Sequence, residues 1–186
     1  MKTYNTQGIV AELIEHSLGS GYLIEHLPSG KPLLNPDTHD ISISHKGEKV
    51  FLGITEHGFR IGVDMEKFDK SINVRTFKKH ALSKKENALL EDFCRKNNLL
   101  PQYGISLFWS VKEAFFKSLG SKIIPNSALI SKISENHAEL TVNEKIKGLM
   151  EENGLGFACI RFKIKRPYIY SVVLLEKAPL QRLLTI

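Results

Sequence analysis

Between Gln7 and Ser17 the apolar residues Ile9, Val10, Leu13 and Ile14 recur at helical spacing, and Gly19 and Gly21 end the pattern. A short helix is therefore expected first. Residues 22–27 then read as a strand, 28–32 as a turn, and Asn35, Pro36 and Asp37 as part of a loop. At Ile41-Ser42-Ile43-Ser44-His45 the period changes to two. Turns at Lys46-Gly47-Glu48 and Glu56-His57-Gly58 separate the runs 41–45, 50–54 and 59–64, which together read as an antiparallel meander. Ser42 and Ser44 share one face of its first strand, and His45 stands where that strand enters the turn.

Beyond Phe68 the pattern becomes helical. Ser83-Lys84-Lys85-Glu86 is a capping-box sequence backed by Leu82, Ala88, Leu89 and Phe93, with Asn97, Asn98 and Pro101 read as its close. A longer helix is expected from about 104–107 to Gly120, which suits its C′ position. On it Phe108, Val111, Phe115 and Leu119 form one stripe, while Ser110, Glu113 and Lys117 lie roughly opposite, flanked by Trp109 and Phe116. Strands are expected over 128–133, 138–142, 157–164 and 168–175, with a short helix over 144–152. Helices mixed with two sets of antiparallel strands describe an α+β protein.

Length and charge narrow this picture only a little. A chain of 186 residues fits one domain or two small halves. It has no apolar run long enough to span a bilayer and its first residues show no signal-peptide pattern, so a cytoplasmic protein is expected, with no membrane partner. Cys94 and Cys159 form no C-x-x-C and are expected as reduced thiols. The net charge of +6 favours an anionic partner. No recognition helix or RNP sequence is visible and the aromatics are not interleaved with a basic stripe, which argues against nucleic acid.

The chemistry is concentrated in two stretches. In Gly62-Val63-Asp64-Met65-Glu66 the alternation sends both carboxylates to one face. Two such neighbours are tolerated where water screens them or where a hard cation sits between them, and Mg²⁺ takes one or two carboxylates plus water and phosphate oxygens. In the long helix Glu113 and Lys117 lie one turn apart, either as an ordinary surface pair or, given the bordering aromatics, in a partly closed cleft.

Taken in order, Ile41-Ser42-Ile43-Ser44-His45, Gly62-Val63-Asp64-Met65-Glu66 and Phe108-Trp109-Ser110-Val111-Lys112-Glu113-Ala114-Phe115-Phe116-Lys117 resemble the three motifs of the 4′-phosphopantetheinyl transferases. Gly30-Lys31-Pro32 and Ser83-Lys84-Lys85-Glu86 look like further landmarks. Each motif alone is weak, while the ordered set is specific. The likeness is nearer to the longer, surfactin-synthetase-activating type than to the short holo-acyl-carrier-protein synthases. It implies two similar α+β halves packed as a pseudo-dimer, here 1–61 and 62–186, in a chain expected to be a monomer.

The resemblance also implies a reaction: the phosphopantetheine arm of coenzyme A passes to a serine of an acidic acyl or peptidyl carrier protein, and 3′,5′-ADP leaves. Asp64, Glu66 and Glu113 would ligate Mg²⁺, with Mn²⁺ as an alternative ion. Glu113 and Lys117 would be catalytic, the first as base toward the serine and the second on the phosphate. A carboxylate held on a cation is a poorer base, so Glu113 orienting the hydroxyl or acting through water stays open. Lys31, Ser44, His45, Lys112 and Lys117 would contact the phosphates of coenzyme A. Trp109 fits either the wall beside the glutamate or the core.

Two departures stand out. The amino-terminal part is short for the longer type, leaving the usual basic partners of the 3′-phosphate without a counterpart, and Lys79-His80-Ala81-Leu82 lacks the aromatic pair expected before Ser83. A non-catalytic relative that binds coenzyme A or a carrier protein is the main alternative, and the intact Asp64, Glu66, Glu113 and Lys117 argue against it.

Overall fold

A computed structural model describes residues 6–69, 71–124 and 126–178. The outer ends of the two expected halves, 1–5 and 179–186, lie outside the described residues. The fold is α+β, with several small antiparallel sheets. Helix α1 (Thr6–Leu18) is followed by the hairpin β1 (Leu23–His26) and β2 (Pro32–Asn35), then by the hairpin β3 (His39–Lys46) and β4 (Lys49–Glu56). Strand β2 occupies part of the stretch expected as loop; Leu34 is buried there against α1.

Strand β5 (Phe59–Lys67) leads to helices α2 (Val74–Ala81), α3 (Lys84–Lys96) and α4 (Pro101–Leu119). The hairpin β6 (Ala128–Ile133) and β7 (Ala138–Val142), helix α5 (Glu144–Glu152), and the hairpin β8 (Leu155–Lys165) and β9 (Tyr168–Lys177) complete the described chain. Pro101 opens α4 instead of closing α3. At the first helical position the missing N–H has no intrahelical acceptor to lose.

The expected meander ends after two strands. β5 pairs antiparallel with β9, Asp64 opposite Ser171, and the sheet order is β5-β9-β8. Its other edge turns the N–H groups of Ile61, Val63 and Met65 toward β3, and these buried donors need acceptors. Ile61 N donates to Asp40 Oδ2 at 2.8 Å, Val63 N to Ser42 Oγ at 3.0 Å and Met65 N to Ser44 Oγ at 3.1 Å. Both members of each successive pair advance by two residues, so β3 and β5 run in the same direction, joined by side chains that replace a backbone ladder.

This accounts for the alternation in β3. Its isoleucine face, Ile41 and Ile43, joins the apolar cluster around Val10 and Ile14 of α1, and its polar face is a buried seam. A second apolar cluster, drawn from residues 82–175, centres on α4. That helix is buried on almost every side, Ser110 and Phe116 included, and not along one stripe as its sequence pattern suggested. It lies on the Gly62 side of β5, where a Cβ would collide with the Ala114 carbonyl oxygen and the Ser118 nitrogen. Glycine is what lets α4 come this close. Gly120 ends the helix at φ 68°, the left-handed cap expected of it.

Candidate active site

Close packing of α4 over β5 brings together residues more than forty positions apart. Carboxylate oxygens of Asp64, Glu66 and Glu113 all lie within 4.8 Å of one another. Asp64 is 2 % exposed; its Oδ1 accepts from Lys117 Nζ at 2.7 Å and from Ser44 Oγ at 3.1 Å. Its Oδ2 is buried without a protein donor. Glu66 pairs with Lys46 Nζ at 2.7 Å, and Lys117 Nζ also approaches Glu113 Oε2 at 3.7 Å.

Charge and burial shape the proton affinities. Burial, followed by the neighbouring Asp64 charge, pushes the Glu113 carboxyl up to about 6, with Lys117 opposing. The hydrogen bond from Lys46 to Glu66, reinforced by the charges of all three carboxylates, holds the Lys46 ammonium above its ordinary value against a smaller desolvation penalty. Lys31 shifts the other way: burial lowers it although Lys31 Nζ lies 2.7 Å from Asp40 Oδ2.

Three hollows lie around this part of the fold, two of them lined by residues of the centre, Lys117 in one and Glu66 in the other. A cavity of about 570 Å³ lies between α1 and the β1–β2 hairpin, lined by Tyr22, Ile24, His26, Pro32 and His45 among others. A smaller one of about 160 Å³ is lined by Lys31, Ser42, Lys117 and Ser121, and the Ser121 hydroxyl is buried without a partner. On the other side a groove of about 280 Å³ runs past Lys46, Glu66, Phe77, Ile105 and Trp109. Trp109 thus stands in a wall beside the acidic group, edge-on to Phe77 at 5.7 Å, whereas Phe116 is core.

Of the residues expected at the site, Asp64, Glu66, Glu113 and Lys117 converge, Lys31 and His45 line two of these hollows, and Ser44 is bonded to Asp64 from below. Lys112 stands apart from them. Its ammonium is buried against Glu86 Oε1 at 2.8 Å and donates to Ala81 O at 3.2 Å. Glu86 also closes the capping box of α3 and accepts from Ile130 N, so this pair ties α2, α3, α4 and β6 together. Sequence reasoning missed Asp40 and Lys46. The two-residue alternation of β3 marks Asp40, whereas nothing local marks Lys46 as the partner of Glu66.

The family model described as 4′-phosphopantetheinyl transferase superfamily matches residues 60–170, more than half of the chain. The chain belongs to the 4′-phosphopantetheinyl transferase superfamily. Among solved structures, the holo-[acyl-carrier-protein] synthase of Neisseria meningitidis is similar at a TM-score of 0.52 and 18% identity, covering 63% of this chain and 98% of that one. The Plasmodium yoelii holo-ACP-synthase has a TM-score of 0.49 and 19% identity over 66% of this chain and 100% of its own. The Helicobacter pylori synthase in complex with coenzyme A has 0.48 and 20%, over 62% and 99%. No curated protein sequence matches. The Neisseria likeness shows the fold of this superfamily member, and the matched region holds Asp64, Glu66, Glu113 and Lys117.

Proposed function

We infer that this protein transfers 4′-phosphopantetheine from coenzyme A to a serine of an apo carrier protein. The observation that carries the reading is the meeting of three carboxylates around a buried, donorless Asp64 oxygen, with a lysine in contact, inside the region matched by the family. An orphaned buried carboxylate oxygen costs free energy unless a ligand completes it, and an all-oxygen acidic donor set suits a hard divalent cation. Asp64, Glu66 and Glu113 would hold Mg²⁺ or Mn²⁺. The ion supplies neutralisation of charge on the pyrophosphate oxygens.

The chain's own residues account for the rest. The serine oxygen forms a bond to the pantetheine-bearing phosphorus, and the bond from that phosphorus to the oxygen of 3′,5′-ADP breaks. Glu113 titrates near 6 without a cation; holding the cation would lower this, so Glu113 would orient the serine hydroxyl or take its proton through a water. Lys117 lies beside Asp64 and lines the small cavity with Lys31, so both lysines can face phosphate oxygens there. The nucleotide portion of coenzyme A would enter the larger cavity bordered by His45. Lys112 supports the site from within the core, and Ser44 does so by holding Asp64.

A two-halved architecture of the surfactin-synthetase-activating type is supported by an echo in the element order. Helix, hairpin, hairpin describes α1 to β4, and the same order recurs from α4 to β9 with α5 inserted. Each part has its own apolar cluster, and the Neisseria synthase, covered almost completely, accounts for 63% of this chain. Division at 1–61 and 62–186, with β3 against β5 as the seam, makes a monomer with one complete site the expected unit. Intact-mass analysis of apo carrier proteins incubated with this protein, coenzyme A and Mg²⁺ tests the reading. One added phosphopantetheine is expected, absent with EDTA and absent with Asp64→Asn. No addition to any carrier by folded protein would overturn it.

A further inference from the structure

The acidic centre already contains positive charge. Three carboxylates, Asp64, Glu66 and Glu113, face two ammonium groups, Lys117 on Asp64 and Lys46 on Glu66. Counted this way the centre carries one net negative charge without a cation, which repels phosphate. A bound divalent cation reverses the sign to one net positive charge, so one of the two lysines then exceeds what the carboxylates need.

The two lysines are held differently. Lys117 projects from the core helix α4 between Asp64 and Glu113, with a third of its side chain exposed. Lys46 sits at the last position of β3, beside the Gly47–Glu48 turn, with its side chain 44 % exposed, and it reaches Glu66 across the mouth of the groove that also borders Trp109. Lys46 is the half-exposed member of the pair and Glu66 only 17 % exposed, so it is the lysine that can swing away into water, and an ion pair with one solvated partner is weak.

We propose that Lys46 is a built-in counter-ion of this centre: it occupies Glu66 while no divalent cation is bound, competes with the cation for that carboxylate, and turns to the anionic ligand once the cation has taken Glu66. This rests on the transferase reading above. It assigns the order of loading, cation before the pyrophosphate of coenzyme A, to a residue that the acidic motif itself does not contain. It also gives Lys46 opposite effects on the two ligands, which a lysine serving only the hairpin would not have.

The test is isothermal titration calorimetry on the full chain, first with Mg²⁺ alone and then with coenzyme A at saturating Mg²⁺. Lys46→Met is expected to tighten the Mg²⁺ Kd about two- to five-fold, the range of an exposed ion pair. The same variant should weaken coenzyme A binding by roughly two- to ten-fold, as loss of a charge-assisted contact does. Lys46→Arg should restore both values. Lys163→Met, which removes an exposed charge on β8, should change neither. A Lys46→Met protein with unchanged Mg²⁺ affinity, or with both affinities moving in the same direction, overturns the role of Lys46 and leaves the transferase reading standing. Absence of Mg²⁺ binding by the wild-type protein overturns the metal assignment and this inference together.

Discussion

Replacing Ser44 with alanine isolates the contribution of the seam between β3 and β5. The hydroxyl is 5 % exposed as part of its residue and makes two bonds, donating to Asp64 Oδ1 at 3.1 Å and accepting from Met65 N at 3.1 Å. Alanine leaves the Met65 N–H buried without an acceptor, at about 1–3 kcal/mol, and removes a bond to a charged group worth about 1.5–3 kcal/mol. The two losses share one site and do not add in full, so a destabilisation of about 2–4 kcal/mol is expected. For a chain of this length that is a fall in Tm of roughly 5–12 °C. Urea unfolding in EDTA, followed by the fluorescence of Trp109, the sole tryptophan of the chain, reads it directly. Ser42→Ala orphans the Val63 N–H without touching Asp64 and should cost less, about 1–3 kcal/mol. If Ser44→Ala unfolds within about 0.5 kcal/mol of wild type, the surface-substitution range, the hydroxyl is not bearing these bonds and the side-chain ladder is not what joins the strands.

Other expectations follow from the same packing. Lys112→Met leaves Glu86 charged in the core and should cost about 3–5 kcal/mol in urea unfolding; a loss under about 1 kcal/mol would show that the pair carries no structural load. Gly62→Ala drives a Cβ into the backbone of α4, so unfolding well below the wild-type midpoint, or insoluble protein, is expected, and wild-type stability would contradict the close approach. Because Glu113 titrates near 6 when folded, above its ordinary 4.5, the native state keeps its proton between those values while the unfolded state releases it. The contribution of Glu113 to stability therefore falls as pH rises from about 4.5 to about 6. The Tm of wild type minus that of Glu113→Gln in EDTA should therefore fall across that window, and a value that rises with pH would refute the raised carboxyl.

Much of the site was legible because it depends on local periods. A period of two puts Asp64 and Glu66 on one face of β5, and a helical turn puts Glu113 and Lys117 together on α4, whatever lies around them. Capping chemistry was equally local: Ser83 and Glu86 bond each other within four residues, and Gly120 adopts its left-handed conformation by itself. Neither period says what will cover a face. Ser42 and Ser44 were seen to share one, and only the fold shows that this face is a buried acceptor row for β5.

Sequence by itself therefore determined the class of the fold, the family, and which acids and lysines share a local surface. Tertiary structure decided the partners. β5 finds β9 more than a hundred residues later, Lys112 is consumed by Glu86, and Lys46 reaches Glu66 across the groove. Such choices are made by the need to satisfy buried donors and charges, and that need arises only when distant segments exclude water from one another. The position of Asp64 shows both levels at once: the alternation of β5 aims it at α4, and Gly62 admits the helix that brings Lys117 and Glu113 to meet it.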